Sequence, residues 1–182
     1  LYKHAIIRDR NLFFELSASA GQLAERDTQI LGDFILRAVK IKAAVVKSDP
    51  LEKGIRRILN FGHTFGHVLE THYAIPHGVA ISQGMIIAAE LSVWKGEMPH
   101  SEFRLLEMAL DKAGLLTGYR LPSNVVNRIS RDKKGEADSV KFVLLGSVGK
   151  AILRSLPLTE IQAFVTYYNE KEIESQSQEK GT

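Results

Sequence analysis

The chain has 182 residues, 45% of them hydrophobic, which is enough for one ordinary core and argues for a single globular domain rather than a fibrous or disordered chain. Lys and Arg exceed Asp and Glu by 24 − 21 = 3, an excess that suits an anionic small molecule but is too small and too scattered for a nucleic-acid surface. Without cysteine there is no disulfide framework and no thiolate metal site, so any metal must be held by His, Asp or Glu.

In chain order, Asp27 and Thr28 are placed to cap a helix running to about Val46, in which Ile30, Leu31, Phe34, Ile35, Ala38, Val39 and Ile41 follow helical spacing. The stretch KSDPLEKG breaks it. A second helix is expected over about 55–73, and Pro76 interrupts the chain before a third opens at His77 and Gly78 and runs to about Gly96. PHSEFRLLEMALDKAGL reads as a further helix, and a short one is expected near 123–130. VKFVLLGSVGKAILRSL holds two β-rich runs around Gly146 to Gly149, the pattern of a hairpin. Thr159 is placed to cap a last helix, and beyond Asn169 the sequence is polar and aperiodic, so 170–182 are expected to form a disordered tail. The expected fold is therefore mainly α, a helical domain with a small β-hairpin.

No basic-then-apolar leader opens the sequence, and the most apolar window, AISQGMIIAAELSVW, is interrupted by Gln83 and Glu90. Neither a signal peptide nor a membrane span is expected, which fits a cytoplasmic setting. The chain begins at Leu1 rather than Met, as a fragment or processed product would.

The most informative stretch is RRILNFGHTFGHVLE, residues 56–70. Read as one helix, it places Arg56, Asn60, His63, His67 and Glu70 at spacings of 4, 3, 4 and 3, so one face carries only groups that donate, accept or ligate. Apolar residues cover the other sides, as in a buried helix. Gly62 and Gly66 fall inside it, each weakening a helix by about 1 kcal/mol relative to alanine. Close helix packing would offset that loss. Because each glycine directly precedes a histidine, the pattern also suits room for a ligand.

Two histidines at i and i+4 can share a metal, but Thr64 stands where the metalloprotease H-E-x-x-H pattern needs its glutamate. His77, just past a proline and 14 residues after His63, can return an imidazole to the same place. Glu70 is on the same face, able either to ligate or to hold a ligating imidazole from behind.

The segments KAAVVKSDPLEKGIRRILNFGHTFGHVLE, PHGVAISQGM and RDKKGEADSVKFVLLGSVGKA together resemble the C-terminal domain of 3-dehydroquinate synthase, within the sugar phosphate cyclase superfamily. The resemblance runs from Leu1 to about Val165, and LNFGHTFGH is its most specific part. It implies that residues 1–169 are the metal- and substrate-binding domain of a two-domain enzyme whose N-terminal NAD-binding domain is absent here. It assigns His63 and His77 to a divalent metal, zinc or cobalt, and His67 to the substrate and proton-transfer site. The family's third ligand, a glutamate three residues before a lysine that Lys3 matches, would fall immediately before Leu1.

Lys3, Lys42 and Arg56 match family positions, and Asn60 shares the histidine face. Lys133 and Lys134 resemble a late lysine motif, with the inward-pointing one left open. The implied reaction converts 3-deoxy-D-arabino-heptulosonate 7-phosphate to 3-dehydroquinate and phosphate, in the shikimate pathway of aromatic amino acid biosynthesis. NAD oxidises the C5 hydroxyl, phosphate leaves by elimination, hydride returns, and an intramolecular aldol closes the ring. The implied complete enzyme is a homodimer, and the isolated chain is not expected to turn over substrate. One departure bears on the substrate: the family motif often reads H-G-E-A-V-A-x-G-M, and this chain has Val79, Ile81 and Ser82. Cyclases making 2-deoxy-scyllo-inosose or 2-epi-5-epi-valiolone therefore stay open, as do an iron-type alcohol dehydrogenase and an inactive helical oligomerisation module.

Overall fold

The structure is a computed structural model that describes residues 1–25, 27–116, 118–132 and 139–179. Three short helices open the chain, α1 (Tyr2–Arg8), α2 (Arg10–Ala18) and α3 (Ala20–Ala24), followed by the long α4 (Thr28–Ser48). A 3-10 segment (Ile55–Asn60) leads into α5 (His63–Tyr73) and α6 (His77–Trp94). Then come α7 (His100–Lys112), α8 (Val125–Asp132), the strands β1 (Ser139–Ser147) and β2 (Lys150–Pro157), and α9 (Leu158–Glu179). The fold is thus mainly helical with one two-stranded antiparallel sheet among the described residues. No helix among them is long and apolar enough to cross a membrane.

Caps explain several boundaries. Asp27 accepts from the backbone N–H groups of Gln29 and Ile30 at 3.0 and 3.1 Å, opening α4 where expected. Asp9 does the same for Leu12 at 2.9 Å and separates α1 from α2. The last helix starts at Leu158, directly after the strand, so Thr159 lies inside it rather than before it. Its backbone stays helical past Asn169 to Glu179.

Central to the fold is α6, whose residues Ala80 to Ser92 are all buried. It is apolar on every side, as a helix covered all round must be. Its buried polar residues are Ser82, Gln83, Glu90 and Ser92, and the Ser92 hydroxyl donates to the Ala88 carbonyl at 2.7 Å and accepts from the Leu145 N–H at 3.0 Å, fixing β1 onto the helix. On the hairpin, Val140 pairs with Leu156 and Leu144 with Ile152. From the other side Phe65 of α5 meets Phe142 at 5.4 Å and Phe164 of α9 at 6.0 Å between ring centroids.

The stretch read as one helix over 55–73 is two elements. A 3-10 segment ends at Asn60, and the chain then passes Gly62 at φ +80° before α5 begins at His63. Gly62 is therefore a left-handed junction rather than a helix interior. Its room is filled: a Cβ there would lie 2.7 Å from Met85 Cγ and 2.8 Å from Met85 N. At Gly66 a Cβ would lie 2.7 Å from Ile81 Cδ1. Both glycines serve the close approach of α6, and neither leaves an opening for a ligand.

Candidate metal centre

The first turns of α5 set His63 and His67 one turn apart on one face. The helix ends at Tyr73, and Ala74 at φ +52° turns the chain so sharply that only Ile75 and Pro76 separate it from α6. His77, the first residue of α6, is thereby returned to the face of α5. The ring centroids of His63 and His67 are 5.3 Å apart, those of His63 and His77 5.7 Å, and those of His67 and His77 6.0 Å. Donor atoms of His67, Glu70 and His77 all lie within 4.8 Å of one another; His63 is outside that set, and its ring stands against those of His67 and His77.

The hydrogen bonds of two of these rings fix their tautomers. His63 Nδ1 is 3.2 Å from the Phe61 carbonyl oxygen, and His77 Nδ1 is 2.9 Å from Glu70 Oε2. Both partners only accept, so each Nδ1 carries the hydrogen and each neutral ring keeps an unshared pair on Nε2. Burial first, and then the Lys3 ammonium, pushes the His63 pKa down to about 4, so this ring is neutral near pH 7. A neutral imidazole with a free Nε2 is what a divalent ion requires. The residues present fit such an ion.

A cleft of about 480 Å³ adjoins the cluster and is lined by Leu1, Lys3, His63, His77, Ser82 and Met85 among others. Burial and the neighbouring Lys42 ammonium hold the Lys3 pKa below its ordinary value. His4 is pushed down to about 4 by burial foremost and by nearby positive charge, Lys3 and Lys42 included, and its Nδ1 has no hydrogen-bond partner. Lys3 is the charged side chain in the cleft wall, while Lys42 is exposed and does not line it; a partly buried ammonium at the wall favours an anion.

Arg56 and Asn60 sit elsewhere. The 3-10 turn and the reversal at Gly62 take them off the α5 face, and neither lines the cleft. Both turn to Glu52: the Asn60 amide donates to Oε1 at 3.0 Å, and Arg56 Nε stands 3.6 Å from Oε2. Arg56 Nη1 also donates to the Pro50 carbonyl at 2.8 Å. Lys133 and Lys134 lie outside the described residues.

Asp49, not singled out from the sequence, and Glu52 organise this loop. The Asp49 carboxylate accepts from the backbone N–H groups of Gly54, Arg56 and Lys53 at 2.8, 3.0 and 3.0 Å, bonds that hold its pKa below the ordinary carboxylate value. Glu52, at φ +54°, takes a backbone conformation that a non-glycine residue seldom adopts. An aspartate before proline was the available signal for the first. Nothing local announces the second.

The family model described as 3-dehydroquinate synthase C-terminal matches residues 1–135. A 3-dehydroquinate synthase of Xylella fastidiosa strain M12 is 38% identical over 161 residues, which are 82% of this chain and 43% of that protein. The enzyme of strain M23 is 38% identical over 160 residues, with the same coverage. The chain thus spans about two-fifths of the length of the curated relatives it matches. Among solved structures, 2-deoxy-scyllo-inosose synthase in complex with carbaglucose-6-phosphate, NAD+ and Co2+ is similar at TM-score 0.65 and 29% identity, over 75% of this chain and 40% of that one. The 2-epi-5-epi-valiolone synthase of Streptomyces hygroscopicus subsp. jinggangensis 5008, with NAD+ and Zn2+ bound, shares the fold at TM-score 0.77 over 93% of this chain and 49% of that one, at 19% identity.

Proposed function

Because the chain belongs to the 3-dehydroquinate synthase C-terminal family, we propose that it is the metal- and substrate-binding domain of a 3-dehydroquinate synthase, acting on 3-deoxy-D-arabino-heptulosonate 7-phosphate. The observation that carries this reading is the convergence of three imidazoles beside a cleft walled by Lys3. In this proposal residues 1–169 are that domain, a further domain seats NAD, and the complete enzyme works as a homodimer in the cytoplasm.

His63 and His77 would hold a divalent ion, zinc or cobalt, through Nε2. Such an ion supplies Lewis acidity toward the substrate's hydroxyl oxygens, while NAD supplies the hydride acceptor. His67, one turn along α5 from His63, is the proton relay of the site. Lys3 and Lys42 hold the carboxylate and phosphate as point charges. Arg56 and Asn60 belong to the substrate set on family grounds alone, since here they bond to Glu52 and Pro50 and do not line the cleft. Lys133 or Lys134 would add a further charge.

Residues 77–85 favour a second reading. Val79 replaces the glutamate frequent in dehydroquinate synthases, and the 2-deoxy-scyllo-inosose synthase fold is shared at 29% identity. The test is phosphate release by the complete enzyme with NAD and Co2+, followed by identification of the product. Formation of 3-dehydroquinate supports the first reading. Phosphate release only from other sugar phosphates would move the assignment to a sister cyclase.

A further inference from the structure

Glu70 lies on α5 one turn beyond His67 and faces the first residue of α6. Its Oε2 accepts the Nδ1 hydrogen of His77 at 2.9 Å. Core packing does not dictate this contact, because the two side chains are 35% and 57% exposed. What brings them together is the short reversal through Ala74, held at φ +52° in a conformation that favours glycine. An exposed imidazole is free to turn about its side-chain bonds, and either nitrogen can carry the hydrogen. A carboxylate behind Nδ1 removes both freedoms at once.

We propose that Glu70 is a positioning residue of the metal centre, which holds His77 in the Nδ1–H tautomer and aims Nε2 at the ion without binding the ion itself. The proposal rests on the reading of His77 as a ligand. The competing arrangement is direct coordination, since donor atoms of His67, Glu70 and His77 lie within 4.8 Å of one another. Direct coordination through that oxygen would break the bond to Nδ1 and release the ring. Keeping the bond leaves both His77 and His63 with Nε2 presented and Nδ1 tied to an acceptor. Outer carboxylates of this kind raise ligand basicity, and their loss typically weakens metal binding about 10- to 100-fold.

The test uses the 182-residue chain with 15N-labelled histidine, at a pH of about 8 where an ordinary histidine is neutral. Nitrogen NMR reads the His77 tautomer, and visible absorption follows a Co2+ titration. The unaltered chain should show Nδ1–H at His77. Glu70→Ala should mix the tautomers and weaken Co2+ binding about 10- to 100-fold. Glu70→Gln, whose amide oxygen still accepts, should keep the tautomer, most of the affinity and the absorption bands. An Nε2–H tautomer in the unaltered chain, or Co2+ affinity unchanged in Glu70→Ala, overturns the proposal and leaves the metal site standing. Altered Co2+ bands in Glu70→Gln would make Glu70 a ligand and overturn it as well. If His63→Ala binds Co2+ as the unaltered chain does, the underlying reading of the site fails instead.

Discussion

Gly84 of α6 packs so closely on Gly62 that a Cβ at position 84 would fall 2.1 Å from the Gly62 carbonyl oxygen and 2.7 Å from the Gly66 N–H nitrogen. The two helices that carry His63, His67 and His77 therefore meet backbone to backbone, just beneath the imidazoles. Spacing of the histidines depends on that approach, because His63 directly follows Gly62 and His77 opens the other helix.

Gly84→Ala must push α6 away from α5. The obstacle is backbone, which cannot rotate aside as a side chain can. A loss of about 3 kcal/mol is expected, the upper end for overpacking a close contact. Co2+ affinity should fall in parallel. Thermal melting and Co2+ titration check both, and an unchanged melting temperature would contradict the packing.

Ser92→Ala is expected to destabilise the fold by about 1–3 kcal/mol, because the Leu145 N–H loses its acceptor where water cannot reach. Denaturant unfolding measures it. Metal binding should stay as it was, since Ser92 lies more than three turns along α6 from His77.

A pH dependence follows from His4 and His63, both held at about 4 against an ordinary 6.5, with burial the first cause in each. Unfolding returns each ring to water, where it binds a proton below about pH 6.5. Between pH 6.5 and 4 the unfolded chain thus holds more protons than the folded one. Stability rises with pH across that window and is lost as pH falls through it. Melting temperature should drop on acidification, and His4→Gln should drop less. Carboxylates titrate in both chains alike, so equal slopes would remove His4 as a contributor.

Much of the fold is legible in the residues. Asp27 and the apolar spacing behind it announce α4, and the β-rich runs about Gly146 to Gly149 announce the hairpin. The break at Gly62 is not legible, because GHTFGH continues a helical pattern unbroken, and the positive φ at Gly62 and the Met85 atoms that leave no room for a side chain there belong to the tertiary structure. For the same reason the five-residue polar stripe divides. His63, His67 and Glu70 stay together on α5, while Arg56 and Asn60 turn to Glu52, whose left-handed backbone no local pattern foretells. The return of His77 is legible from Pro76, which ends one direction and starts the next helix.

Arg56→Lys in the complete enzyme separates two roles for this residue. As the partner of Glu52 it forms a half-exposed pair, which contributes about 0–1 kcal/mol. As a substrate contact it offers paired donors that an ammonium cannot reproduce. Lysine should leave the melting temperature nearly unchanged and lower kcat/KM for phosphate release by at least about tenfold, or 1.4 kcal/mol. Unchanged kinetics would leave Arg56 as a loop brace only.

The sharpest division lies among the three histidines, whose rings stand at nearly equal separations. His63 and His77 each have Nδ1 tied to an acceptor, which prepares Nε2 for an ion. In the proposed reading His67 is the relay. Replacing His63 or His77 by alanine in the complete enzyme should therefore abolish tight Co2+ binding and turnover together. His67→Ala should retain Co2+ with little change in its absorption and still lose turnover, by about 10²- to 10⁴-fold if proton transfer is its task. Small external bases such as imidazole should restore part of that activity, and should not rescue the other two variants. Loss of Co2+ in His67→Ala would instead make His67 a ligand, and the relay would have to be sought among the remaining groups of the cleft.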